Sequence, residues 1–209
     1  MPLQNRVLPT GEIVAASWCG TLMGNRGILH DADRKLGRAR WRHANWVCCV
    51  TAFRGRWREP MPPGRYTTLF FRDEASALAA GHRPCAECRN RDYRAFKKAW
   101  IRAGLHGWKA SEIDQVLHRA RVGRDRCQVR HLADLAGLPD GSFFAMPGNP
   151  EETVLKSAGG FWRWTARGYT RVEQMPAHRV EVLTPKPIVE VLRAGYRPNE
   201  CRTGANDRA

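Results

Sequence analysis

No run of the sequence approaches the ~20 apolar residues that a bilayer-spanning helix needs. The mildly apolar opening IVAASWCGTLMG follows Glu12 and lacks the basic lead and clean cleavage site of a secretory signal. The chain is therefore expected inside the cell, in the cytoplasm and near the nucleoid, with no membrane partner. Internal repeats and low-complexity tracts are missing as well, which sets aside solenoids and disordered arrays. There is no P-loop, Rossmann fingerprint, H-N-H finger or P-D-(D/E)-x-K core, so the motif-borne routes to nucleotide hydrolysis, dinucleotide redox chemistry and two nuclease chemistries are not visible. Acidic residues are also scarce. Twenty Asp and Glu against thirty-five Lys and Arg leave a net charge of +15 on 209 residues.

What is present starts from that imbalance, which points to a polyanionic partner: nucleic acid, with DNA favoured. Residues 31–130 carry 23 basic and 10 acidic side chains, a net of +13, whereas the rest carries 12 and 10, a net of +2. The middle of the sequence should therefore form the binding surface. Hydrophobic residues at 43% and eight tryptophans argue for a packed core. Seven cysteines, at 19, 48, 49, 85, 88, 127 and 201, are an odd number in a reducing compartment and favour metal ligands and buried thiols over a disulfide framework.

The patterning predicts an α+β chain in two parts. WVCCVTAF (46–53) and TTLFF (67–71) read as strands that could pair as a hairpin across a proline-rich loop. EASALAA is a short helix closed by Gly81, and Asn90 is expected to cap RDYRAFKKAWIRA, which Gly104 ends. A third helix runs from Ser111 to Val122, with Ser111 and Asp114 in a capping relation. Past Pro139 the short runs SFFAM, FWRWT, YTRVE and HRVEVL suggest a small antiparallel sheet, followed by a terminal helix PKPIVEVLRA. The expected division is a basic region, 1–135, and a β-rich subdomain, 136–209.

Cys85-Ala86-Glu87-Cys88 has the spacing at which two thiolates in a tight turn meet one metal ion. No thioredoxin-like context supports a redox role. Residues 70–89, FFRDEASALAAGHRPCAECR, resemble the second half of the Ada-type zinc-binding module of bacterial alkylation-repair proteins: a strand-ending aromatic, an E-A-x-A-A-G helix, then R-P-C-x-x-C and a basic residue. The likeness covers about twenty residues. It implies zinc, a role in DNA repair or modified-DNA recognition, and four ligands. Cys85 and Cys88 match two of them. Upstream, Cys48 and Cys49 are adjacent and on a strand must point to opposite faces, so one of them, Cys49, is expected at the metal. His30 is the first choice for the remaining ligand, ahead of His43 and Cys19. In the alkylation-repair relatives an upstream cysteine accepts a methyl group; the altered spacing here, and the missing P-C-H-R signature, argue against that chemistry.

The expected phosphate contacts are Arg54, Arg56 and Arg58 in the loop, Arg89 after the cysteines, and Arg91, Arg94, Lys97 and Lys98 on the helix face opposite Tyr93, Phe96 and Trp100. An alternative reading makes the chain a metal-stabilised enzyme acting on DNA, a glycosylase or nuclease. Its candidate catalytic residues are Asp114 and His118, four apart on one helix, with Glu112 beside them. A third reading gives the aromatic run FWRWT the task of holding a modified base.

Overall fold

Short β-branched and aromatic runs open the chain as β1 (Gln4–Val7), β2 (Ile13–Ala15), β3 (Leu22–Asn25), β4 (Val47–Val50) and β5 (Leu69–Phe71) in a computed structural model that describes residues 1–55, 59–175 and 177–200. Then come α1 (Glu74–Ala79), β6 (Arg83–Pro84), α2 (Asn90–Arg102) and α3 (Ala110–Arg121). The second half supplies β7 (His131–Asp134), β8 (Phe143–Met146), β9 (Asn149–Ser157), β10 (Gly160–Thr165), β11 (Gly168–Val172) and β12 (Arg179–Val182), and closes with α4 (Lys186–Arg193). The class is α+β. One sheet has the order β2-β1-β5-β3-β4-β6 and mixes directions, with β1–β5 and β4–β6 parallel; the other, β11-β10-β9-β8-β12-β7, is antiparallel throughout.

The alanines of α1 have a packing reason. Every residue of this helix is buried. Ala77 and Ala80 join the core under the first sheet, Ala75 and Ala79 join Phe143, Leu155 and Leu183 of the second, and Leu78 enters the core shared by α2, α3 and α4. A helix in contact with both sheets and a helical layer must carry small side chains if its neighbours are to reach packing density. Its start is fixed by a reciprocal capping box between Asp73 and Ser76. Gly81 then leaves the helix at φ 82°, and a Cβ there would lie 2.6 Å from Arg121 Cδ, so both backbone and space demand glycine.

The α2 face predicted to be apolar is the buried one: Phe96 and Trp100 pack with Ile113, Leu117, Ile188, Val191 and Tyr196. Helix α4, distant in sequence, thus shares a core with α2 and α3. Truncating Trp100, fully buried, to alanine would cost ~3–5 kcal/mol.

Three local expectations change. β4 and β5 do not form a hairpin, because β3 lies between them and pairs with both. Gly24 of β3 permits this: a Cβ there would meet the Phe71 ring at 2.4 Å. Asn90 is the first residue of α2, with Arg89 in the cap position, and its side chain donates to the Ala86 carbonyl instead. In α3 the capping carboxylate belongs to Glu112, which accepts from the Trp108 and Lys109 backbone N–H groups at 2.8 and 3.0 Å; Asp114 is turned inward.

Candidate metal centre and its charged surroundings

Strand β4 sends Cys48 into the core, fully buried, and Cys49 to the other side. Parallel pairing of Cys48 with Pro84, extended by a 3.0 Å bond from the Cys85 N–H to the Cys48 carbonyl, brings the Cys85–Cys88 turn against β4. As a result the sulfurs of Cys49, Cys85 and Cys88 all lie within 4.8 Å of one another, a group able to hold a metal ion. The thiols are in mutual contact. The hydrogen bond from Cys49 holds Cys85 down at about 5, while that same bond, together with burial, pushes Cys49 well up. Burial also raises Cys88. Sulfur-only donors suit a thiophilic ion, and one ion would replace these thiol–thiol contacts with three metal bonds. The open side is a cavity of about 70 Å³ bordered by Met23, Val50, Thr51, Phe53 and Glu87.

Cys48 belongs to a different network. Its sulfur accepts from Arg89 Nη1 at 3.1 Å, and burial pushes its thiol up to about 12. Arg89 is itself buried, bridging Glu74 at 2.8 Å and Asp92 at 2.7 Å. Tyr196 donates its hydroxyl to Glu74, and the Asn199 N–H donates to the other Glu74 oxygen at 3.0 Å. Next door, the Tyr169 hydroxyl donates to Asp73 at 2.7 Å. Arg89 is therefore removed from the phosphate-facing set: its charge is balanced internally.

His30 is not beside the thiols. Its Nδ1 is 2.7 Å from the Thr67 hydroxyl and its Nε2 3.2 Å from the Pro62 carbonyl, so both ring nitrogens are engaged elsewhere. Cys19 is exposed, and neither it nor His43 joins the thiol group. Arg91, Arg94 and Lys98 are exposed along α2 and Lys97 is half-buried; Arg54 is exposed beside Phe53. Arg56 and Arg58 lie outside the described residues.

The residues weighed for catalysis take structural positions. Asp114, 1% exposed, receives Arg83 Nε and Nη2 at 2.8 and 2.7 Å, a bidentate pair that occupies both its oxygens. Burial raises its carboxyl pKa, against the pull of Arg83. His118 packs edge-on to Trp41 and Trp46 and stands 3.2 Å from Arg121 Nη2. Glu112 is the exposed helix cap described above.

Sequence reasoning passed over a cluster centred on Trp46. Arg26 and Arg121 are 2% and 1% exposed, and the guanidinium carbon of each lies 4.1 Å from the Trp46 ring centroid. Arg26 Nε donates to His82 at 3.3 Å and its Nη1 to the Gly11 carbonyl at 3.0 Å. Arg121 donates to the carbonyls of Gly81 and Ala44. In sequence each is one arginine among many, and only tertiary folding buries them.

Among the described residues no helix is long and apolar enough to cross a membrane. Comparison with family models, curated proteins and solved structures gives no match.

Proposed function

We propose that the chain is a zinc-containing nucleic-acid-binding protein, with DNA the favoured partner and DNA repair or modified-DNA recognition the setting. The observation that carries this reading is the convergence of Cys49 with Cys85 and Cys88 immediately before a helix that exposes Arg91, Arg94 and Lys98. Zinc at ~2.3 Å from each thiolate places tetrahedral sulfurs about 3.8 Å apart, within the spacing found. Three thiolates supply three of four positions, and the cavity beside Glu87 and Phe53 gives access to the fourth. The metal would tie β4 to the turn that starts α2, so that holding zinc and orienting the cationic face become one structural act. The likeness of residues 70–89 to the Ada-type module supports the same assignment.

Metal analysis tests this directly. One zinc per chain is expected in the purified protein and its loss in Cys85→Ser and Cys49→Ser. Gel-shift and filter-binding measurements on single- and double-stranded DNA and RNA, with and without chelator, should then give metal-dependent binding that is tightest on DNA. Full zinc in both variants would overturn the metal assignment, and absence of any binding would overturn the partner.

A further inference from the structure

The Trp46 cluster opens into a second cleft, separate from the thiols. Its volume is about 360 Å³, at the low end of the range for small-molecule pockets and large for a single inorganic ion. The turn after β1 forms one wall through Thr10, Gly11 and Glu12, the Arg40–Trp41 segment forms another, and the end of α3 with residues 122–130 forms the third. Five arginines line it, at 26, 40, 121, 126 and 130, against the carboxylates of Glu12 and Glu151.

Charge accounting makes this cleft unusual. Arg26 and Arg121 are buried, and among the described residues neither has a carboxylate within ion-pair distance. The buried carboxylate nearest in the network, Asp114, is already held by Arg83. An unpaired cation in low dielectric is expensive, and proteins rarely keep one without a counter-ion. Burial, and then the nearby charge of Arg40, bring the Arg26 pKa down to about 9. Arg26 Nη2 has no acceptor, although its two N–H groups are buried. On the same cleft, Gln128 donates to the Pro9 and Ala79 carbonyls at 3.0 and 2.9 Å, leaving its buried Oε1 without a donor. A second turn projects more charge: Gly123 N–H bonds the Cys127 carbonyl at 2.9 Å, and Arg126 stands at φ 67° in the loop thus closed.

An occupant must therefore bring anionic oxygens for the arginines, an N–H or O–H donor for Gln128 and a flat apolar surface for the half-buried Trp41. An inorganic anion satisfies only the first requirement. We propose that the cleft binds a phosphate group carried on a nucleotide, the phosphate seated by Arg26 and Arg121 with Arg40, Arg126 and Arg130 around it, and the nucleoside against Trp41 and Gln128. The choice of nucleoside leans on the nucleic-acid reading above; the anion site stands on the buried arginines alone.

Calorimetry at fixed ionic strength tests the proposal with three probes: inorganic phosphate, a nucleoside monophosphate and the same nucleoside without phosphate. The monophosphate should bind tightest, phosphate more weakly and the nucleoside weakest. Arg26→Met should weaken the monophosphate by at least about tenfold, the value of one charge-assisted hydrogen bond. Should Arg26→Met fail to fold, the exposed Arg40→Ala and Arg126→Gln provide the same reading without touching the core. No heat with phosphate or monophosphate, equal affinity for nucleoside and monophosphate, or unchanged affinity in both Arg40→Ala and Arg126→Gln would each overturn the site. Competition by a short 5′-phosphorylated oligonucleotide, but not by its unphosphorylated form, would assign a strand end; competition by neither would assign a free nucleotide. A protein that binds the monophosphate but no oligonucleotide ends the nucleic-acid reading and keeps the cleft. One that binds DNA and ignores phosphate does the reverse.

Discussion

The molecule buries two sets of arginines and treats them in opposite ways. Around Arg89, Glu74 and Asp92 supply carboxylates at 2.8 and 2.7 Å, and Tyr196 and Asn199 occupy the remaining acceptor sites of Glu74. Around Arg26 and Arg121 there are indole faces and backbone carbonyls, and among the described residues no carboxylate lies within ion-pair distance of either. A closed network of the first kind has nothing left to offer a ligand and serves as a joint. The second kind retains uncompensated charge at the edge of a cleft, the condition under which a bound anion is most favourable.

The comparison breaks most sharply at its balanced end. Glu74→Gln leaves Arg89 with Asp92 alone and disturbs the hydrogen bond from Tyr196. Since removing one partner of a buried pair costs ~3–5 kcal/mol, urea unfolding should register a loss of that size. Arg26→Met, in anion-free buffer, should cost less than about 3 kcal/mol, because it removes an unneutralised buried charge along with two hydrogen bonds. Equal losses in the two variants would erase the distinction between the networks.

Acid acts on the unbalanced side. Burial, followed by the charges of Arg26 and Arg121, holds the His82 pKa well below its ordinary value, so the folded protein keeps this ring neutral while an unfolded chain protonates it near 6.5. The stability that depends on it is present above that pH and is lost as the pH falls below it, by up to about 1.4 kcal/mol per unit for this residue. Thermal melts from pH 7.5 to 5.5 should record the decline, with a shallower decline in His82→Phe. A profile identical in that variant would locate the acid sensitivity elsewhere.

The smallest effect concerns α2, where Arg91, Arg94 and Lys98 are exposed. A triple change of Arg91, Arg94 and Lys98 to alanine leaves Phe96 and Trp100 untouched and should not alter unfolding measurably. On duplex DNA the log–log salt slope should fall by about 0.9 for each phosphate that the helix no longer neutralises. An unchanged slope would mean that this face is solvated and nothing more.

The contrast also explains what is legible in the sequence. Cys85 and Cys88 are local: a two-residue spacing in a turn suffices to bring two sulfurs together, so the pair reads directly. Strand alternation lets only one of Cys48 and Cys49 face the Cys85–Cys88 pair, and the fold brings Cys49 there. Placing His30 at the metal depends on loop closure, on which local pattern is silent; in the fold Thr67 and Pro62 take its ring instead. Helices α1, α2 and α4 are visible through periodicity and terminal glycines. β3 is not, because Gly24 lowers its strand propensity, and that glycine is present for the sake of the Phe71 ring. Likewise β9 begins Asn149-Pro150-Glu151-Glu152, a turn-like opening that hides a nine-residue strand. The cluster of Arg26 and Arg121 has no such local signature, since its partners lie up to 77 positions away.

The clasp between Glu74 and the segment Tyr196–Asn199 spans 122 to 125 positions of sequence. On a ribosome, the acid that neutralises Arg89, four residues from Cys85, has to wait for another 122 residues to emerge before the first of its own hydroxyl and amide donors exists. The thiols can gather earlier, since Cys49 and Cys88 are separated by only 39 positions. Synthesis thus runs in an order that allows the cysteine turn to form first and to be locked later, and a ribosome stalled short of Tyr196 would display a nascent chain whose thiol cluster has assembled over an unfinished joint.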